Sequence, residues 1–213
     1  SVLTQMNSTP SIPHWAIYQK QSLRNAAFQT RPIEARAGLH AVYKETVHPI
    51  SMLNLRSLPI RREGTAPHLF DLSLRKGADP SSNYGFIYDG YLDVAESGVY
   101  EIHAPEEFVS AVTEAWYDLR LFLDGEEWYP ATRRQNYGTW SVPLEAGSHR
   151  IEVRWVDQRP SMGAGPRPGI AESFTRWQGL APTLDWSGPG IPRQPIPAAQ
   201  LWHSPLPAHS SSR

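Results

Sequence analysis

Apolar and polar positions alternate along the middle of the chain. Phe86, Tyr88, Gly90, Leu92 and Val94 fall on one face of an extended segment, with Asp89, Tyr91 and Asp93 on the other. After the turn Ala95-Glu96-Ser97-Gly98 the alternation resumes from Val99 to Ala104, and the two runs read as a hairpin. Leu119, Leu121 and Leu123 are again in phase and stop at Asp124-Gly125, a two-residue turn signal, so the next strand is predicted to start near Glu127. The turn from Leu144 to His149 precedes a further run in which Ile151, Val153 and Trp155 alternate with Arg150, Glu152 and Arg154. Short strands with one apolar face each bury that face only against a second sheet or by closing on themselves. The pattern therefore predicts an all-β fold, an antiparallel β-sandwich with long irregular loops.

Composition sharpens this picture. Twenty prolines and fifteen glycines in 213 residues argue against long helices and for many turns. Pro189, Pro192, Pro195 and Pro197 remove ladder donors from the segment before Leu201 and Trp202. That proline-rich C-terminal segment is predicted to lie extended over an edge of the sandwich, with Leu201 and Trp202 plugging an apolar end. The residues from Trp15 to Phe28 fit either a strand or a short helix, and those from Pro205 to Arg213 read as a disordered end or linker.

Charge and motifs remove several function classes. The formal net charge is −1, and twenty Lys and Arg are scattered rather than gathered into a stripe, so no nucleic-acid partner is expected. No apolar run nears the ~20 residues of a bilayer span, so no membrane insertion is expected, and Ser1 to His14 lack the basic start and apolar stretch of an export signal. Without cysteine there is no disulfide framework or thiolate chemistry. The eight histidines form no His-Glu-x-x-His or His-x-His pattern, and the glycines from Gly163 to Gly169 are interleaved with prolines that lack anion-cradling N–H groups. Glu106 and Glu107 are neighbours that diverge on an extended backbone, unlike two carboxylates facing across a cleft, so no catalytic residue is expected.

Five stretches in order resemble a known family. They are Gly38 to Glu45, Tyr84 to Ala104, Leu119 to Tyr129, Trp140 to Asp157, and Leu184 to His203. Together they resemble the protective-antigen-type β-sandwich module, found in adhesins and appended to bacterial carbohydrate-active enzymes. The resemblance implies a sandwich over residues 38–203, with 1–37 an N-terminal extension or the end of a preceding domain, and 204–213 a tail or linker. It also implies sugar binding in an exported protein, extracellular or periplasmic. In its calcium-dependent adhesin members, a loop with adjacent aspartates holds the metal and, through it, the sugar hydroxyls. Here that position, Pro105 to Asp118, is longer and carries Glu106-Glu107 in place of Asp-Asp, so neither calcium nor another cofactor is expected. Phe108, Val109, Val112, Ala115 and Trp116 are also spaced as one face of a short capping helix. A second insertion, Asp157 to Pro182, is predicted to line the ligand surface.

Sugar recognition needs aromatic faces for C–H groups and planar polar groups for hydroxyls. Glu107, Trp116, Tyr117, Asp118, Trp140 and Trp177 are therefore the candidate glycan-binding residues. The sequence-based expectation is a non-catalytic carbohydrate-binding module with a glycan partner. The alternative is a structural or accessory subunit docking onto a larger extracellular or periplasmic assembly.

Overall fold

A computed structural model of the chain describes residues 31–79, 82–104, 116–128, 139–158 and 183–205. The Trp15–Phe28 segment, the capping-helix stretch up to residue 115 and the tail beyond 205 lie outside the described residues. Among the described residues there are strands β1 (Arg36–Ala37), β2 (Leu39–Thr46), β3 (Arg62–Ala66), β4 (Asn83–Val94), β5 (Gly98–His103), β6 (Trp116–Leu123), β7 (Glu126–Trp128), β8 (Thr139–Leu144), β9 (Gly147–Gln158), β10 (Asp185–Gly188), β11 (Ile191–Pro195) and β12 (Leu201–His203), and no α-helix. All ladders are antiparallel.

The strands form two unequal sheets. The larger runs β1-β12-β4-β9-β6-β7, with β2 also paired to β4 and β3 paired to β2; the smaller runs β11-β10-β5-β8. The alternation read from the sequence decides which residues meet between them. Phe86, Tyr88, Leu92 and Val94 of β4, Leu119, Leu121 and Leu123 of β6, and Ile151, Val153 and Trp155 of β9 are all buried in one core with Tyr100, Ile102, Trp140, Val142 and Trp186 of the smaller sheet. Phe86 stacks between Tyr88 and Trp155, at centroid distances of 5.5 and 6.0 Å. Buried aromatics contribute ~150–250 Å² each, which makes this cluster the main apolar term of the fold.

The Ala95 to Gly98 turn corrects the hairpin expectation. β4 and β5 do not pair: β4 lies against β9 in the larger sheet, and β5 lies against β8 in the smaller one. The turn is an arch between sheets, and the β8–β9 connection is a second arch beside it, since the Ala146 N–H donates to Ser97 Oγ at 2.8 Å. A turn signal fixes chain reversal but not which strands pair, and here a half-buried strand leaves for the opposite layer. Asp124-Gly125 behaves as expected, with φ of 51° and 87°, the left-handed pair that a tight hairpin turn needs; β7 begins at Glu126, one residue early.

Part of the proline-rich segment forms strand β11. β11 is the edge strand of the smaller sheet, where missing N–H donors cost no ladder bond. Leu201 and Trp202 are buried, though as a strand between β4 and β1 rather than as a plug. Gly90 allows this approach, because a Cβ there would meet the Trp202 carbonyl oxygen at 2.5 Å. The boundary placed at Gly38 falls at the kink between β1 and β2, where φ is +85°, and residues 36–37 pair with β12.

The outer face of the larger sheet carries a second apolar cluster that alternation alone does not reveal. Ile50, Met52 and Leu55 from the β2–β3 connection cover Val156, with Leu58 and Ile87 packed alongside. Lys44 anchors that connection by donating to the carbonyls of Arg56 and Leu58 at 2.8 and 2.6 Å.

Candidate glycan-binding end

The ladder registers sort the connections by end. At one end Val94 faces Gly147, Gly98 faces Leu144 and Leu123 faces Ile151, and the links there are the short turns at 95–97, 124–125, 145–146 and 189–190. At the opposite end Thr46 faces Asn83, Tyr84 faces Asp157, Trp116 faces Gln158, and His103 lies between Thr139 and Asp185. Strands leading into and out of 105–115, 129–138 and 159–182 all point to this second end. Long connections on one end of a rigid sandwich are the usual place for recognition, because the sheets fix where each begins and ends.

The candidate residues divide accordingly. Trp116, Tyr117 and Asp118 are the first residues of β6, paired with Gln158, Asp157 and Val156, so they are strand residues at the loop end rather than part of a loop or helix. Glu107 and Trp177 lie outside the described residues. Trp140 requires a correction: it is 1% exposed, packed in the core, and its indole N–H donates to the Trp128 carbonyl at 2.9 Å, closing one side of the sandwich. A ring so enclosed has no face for a sugar. Its phase with Val142 and Leu144 is the sequence signal that marks it as core.

Two polar groups at this end were not singled out by the sequence. On the smaller sheet, His103 Nδ1 is 3.0 Å from Thr139 Oγ1, and its Nε2 is 3.5 Å from Ser187 Oγ and 3.7 Å from Glu101 Oε2. These side chains share the outer face because His103 and Thr139 are register partners, as are Glu101 and Ser187. On the larger sheet, Glu45 accepts from the Tyr43 hydroxyl, from Arg61 Nε at 3.0 Å and from Ser82 Oγ at 3.4 Å. Burial works against the ionised Glu45 carboxylate, but the Tyr43 and Arg61 bonds outweigh it and hold the group below its ordinary range. Glu45 is therefore ionised at neutral pH and acts as a clamp between β2, the start of β3 and the entry to β4. Burial and the adjacent carboxylate push the Tyr43 phenol up, so it stays protonated as the donor.

Charged groups on the outer face of the larger sheet are paired with one another. Both Glu152 oxygens accept from Arg56 Nη2, at 2.8–2.9 Å, and Oε1 also accepts from Arg154 Nε, while the Arg154 guanidinium lies 4.0 Å over the Phe122 ring. Arg150 pairs with Asp89 at 3.2 Å. Among the described residues no group of three or more His, Asp or Glu side chains is arranged to hold a metal ion, and Glu106, Glu107 and Glu114 lie outside them.

No protein-family model matches the chain, and no curated protein matches it. Solved structures do. An anti-sigma factor domain-containing protein from Clostridium clariflavum superposes with a TM-score of 0.52 at 16% identity, over 83% of this chain and 50% of its own. A second anti-sigma factor domain-containing protein gives 0.51 at 15%, over 83% and 52%. This chain thus spans about half the length of those two. A PA14 sugar-binding domain from an RTX adhesin gives 0.47 at 13%, over 79% of this chain and 99% of its own. At these identities the likeness is one of fold, the antiparallel β-sandwich.

Proposed function

We propose that the chain is a non-catalytic carbohydrate-binding module of an exported bacterial protein, acting outside the cytoplasm and binding glycan through the connections at one end of its sandwich. The observation that carries this reading is the segregation of connections: tight turns at one end, and at the other the strand ends that flank 47–61, 105–115, 129–138 and 159–182. The five sequence stretches that resemble the protective-antigen-type module supply the ligand class. Trp116 and Tyr117 at the start of β6 and Trp177 are the stacking candidates, with Glu107 and Asp118 as partners for hydroxyl groups. No calcium is assigned to the site.

A glycan-array screen of the purified chain with and without calcium, followed by calorimetry on each hit, tests the proposal. Saturable, glycan-specific binding that persists with chelator is the expected result. Trp116→Ala and Trp177→Ala are expected to weaken it about tenfold or more, while Val99→Ala at the opposite end leaves it unchanged. Equal loss in all three variants would sink the placement of the site.

One observation favours the accessory-subunit reading. Val47 and Leu53 of the β2–β3 connection, which springs from the same end, are 78% and 93% exposed. Exposed branched aliphatics suit a protein surface better than a sugar. A folded protein silent across a broad array would turn the assignment to a docking role.

A further inference from the structure

The end of the sandwich opposite the proposed binding connections contains a titratable group that the binding function does not use. His149 lies on the inward face of β9, in phase with Ile151 and Val153, and is 3% exposed. Its Nδ1 is 2.8 Å from Asp124 Oδ2 in the β6–β7 turn, and its Nε2 is 2.8 Å from the Glu145 carbonyl oxygen in the arch to the smaller sheet. A carbonyl oxygen only accepts, and so does an ionised carboxylate; both ring nitrogens therefore need a hydrogen. The imidazolium form alone satisfies this geometry. The same Asp124 accepts the Arg150 N–H at 2.9 Å through its other oxygen, and the Asp124 N–H donates to the Arg150 carbonyl at 2.8 Å.

We propose that His149 is a proton-operated tie: protonated, it binds the β6–β7 turn to the β8–β9 arch, and loss of its proton releases one of the two. The neutral ring, itself buried, would direct a lone pair at an oxygen 2.8 Å away. The charged groups around it are consistent with a retained proton. Asp124 contacts the ring, the exposed Glu145 carboxylate belongs to the arch, and Glu126 follows Asp124 on the turn. On the facing β4, Leu92 is the register partner, and Asp93 beside it accepts from Ser148 and Trp202. Arg150, the next residue along β9, is turned outward to Asp89. Burial opposes the charged ring, but the Asp124 bond, the Glu145 carbonyl and the two carboxylates outweigh it and raise its pKa above the ordinary value. Because the folded value is raised, the stabilisation is full below the unfolded pKa of ~6.5 and is lost as pH rises through the folded value.

The test is a pH titration of the full chain by nitrogen–proton NMR of the histidine rings, alongside thermal melts from pH 5.5 to 9.5. His149 is expected to carry hydrogen on both nitrogens at pH 6.5 and to titrate above ~6.5. The melting temperature is expected to fall by about 2–4 °C across that titration. Amide exchange at Asp124 and Arg150 should accelerate over the same range. Asp124→Asn is the decisive variant, since Asn tolerates the left-handed turn conformation and still accepts the Arg150 N–H while removing the charge. It is expected to return the midpoint to the ordinary range and flatten the melting profile; His149→Gln should flatten it as well. A ring neutral at pH 6.5, or a midpoint unchanged in Asp124→Asn, would overturn the proposal.

Discussion

Trp202 shows how much one side chain can hold. Its ring stacks on Tyr91 at 4.1 Å, its indole N–H donates to Asp93 at 2.7 Å, and its carbonyl passes over Gly90. Trp202→Phe is expected to keep the stack but leave Asp93 short of a donor, costing about 1–2 kcal/mol, whereas Trp202→Ala costs about 3–5 kcal/mol. Gly90→Ala attacks the same contact from the other side and should cost about 1–3 kcal/mol by overpacking. Urea denaturation of the three variants checks the order. Glu45 adds an acid limit: its pKa is depressed, so its contribution is present above the unfolded value of ~4.3 and is lost as pH falls through the folded one. Glu45→Gln is expected to soften the acid limb of the stability profile. At this scale the sequence was readable where phase was followed. Trp155 declares itself as core by alternating with Arg154, and Trp140 does so beside Ser141, in phase with Val142 and Leu144; aromatic chemistry alone does not separate it from a sugar platform. Nothing in the local sequence marks Glu45 as a clamp, because its partners Arg61 and Ser82 are distant along the chain.

Strands were more legible than their pairing. Alternation placed β4, β5, β6 and β9 and the faces they bury, since period two is a direct consequence of the pleat. It did not reveal that β4 and β5 belong to different layers. An arch and a hairpin use the same turn residues; what separates them is whether the following strand finds its ladder partner beside it or across the core. Here β4 finds β9 and β5 finds β8, and the two arches cross side by side. The proline-rich segment was legible for a different reason: missing donors restrict it to an edge whatever the topology. Deleting residues 189–202 removes β11 and most of β12, exposing the neighbours of Leu201 and the edge of β10. Loss of the cooperative melt is expected by circular dichroism, and an unchanged curve would show that the segment closes nothing.

For the molecule as a whole, fold class follows from the strand pattern and the site does not. Half-apolar strands without helices leave few architectures besides a sandwich or barrel, but a binding site depends on which loops meet, and that depends on topology. The unequal sheets add a feature invisible to periodicity: the β3–β4 connection fills the core beyond the smaller sheet, with Phe70 edge-on to Trp155 at 5.5 Å and the Tyr88 hydroxyl donating to the Asp71 carbonyl at 3.2 Å. With no metal assigned to the site, chelation is expected to leave the melting temperature unchanged; a large drop would assign a structural calcium to the long connections.

The β1–β12 ladder gives the sandwich a mechanical polarity. Arg36 faces His203 across two antiparallel strands, so among the described residues the first and last strands of the larger sheet are adjacent neighbours. Tension drawn through residues 36 and 203 would load that ladder bond by bond, as a zipper, rather than shearing many bonds together. Once it parted, the force would fall next on Trp202 and Gly90, while the long β4–β9 ladder lay out of the line of pull. Stretched within a longer chain, the sandwich would yield first at its seam and keep its central sheet pairing until last.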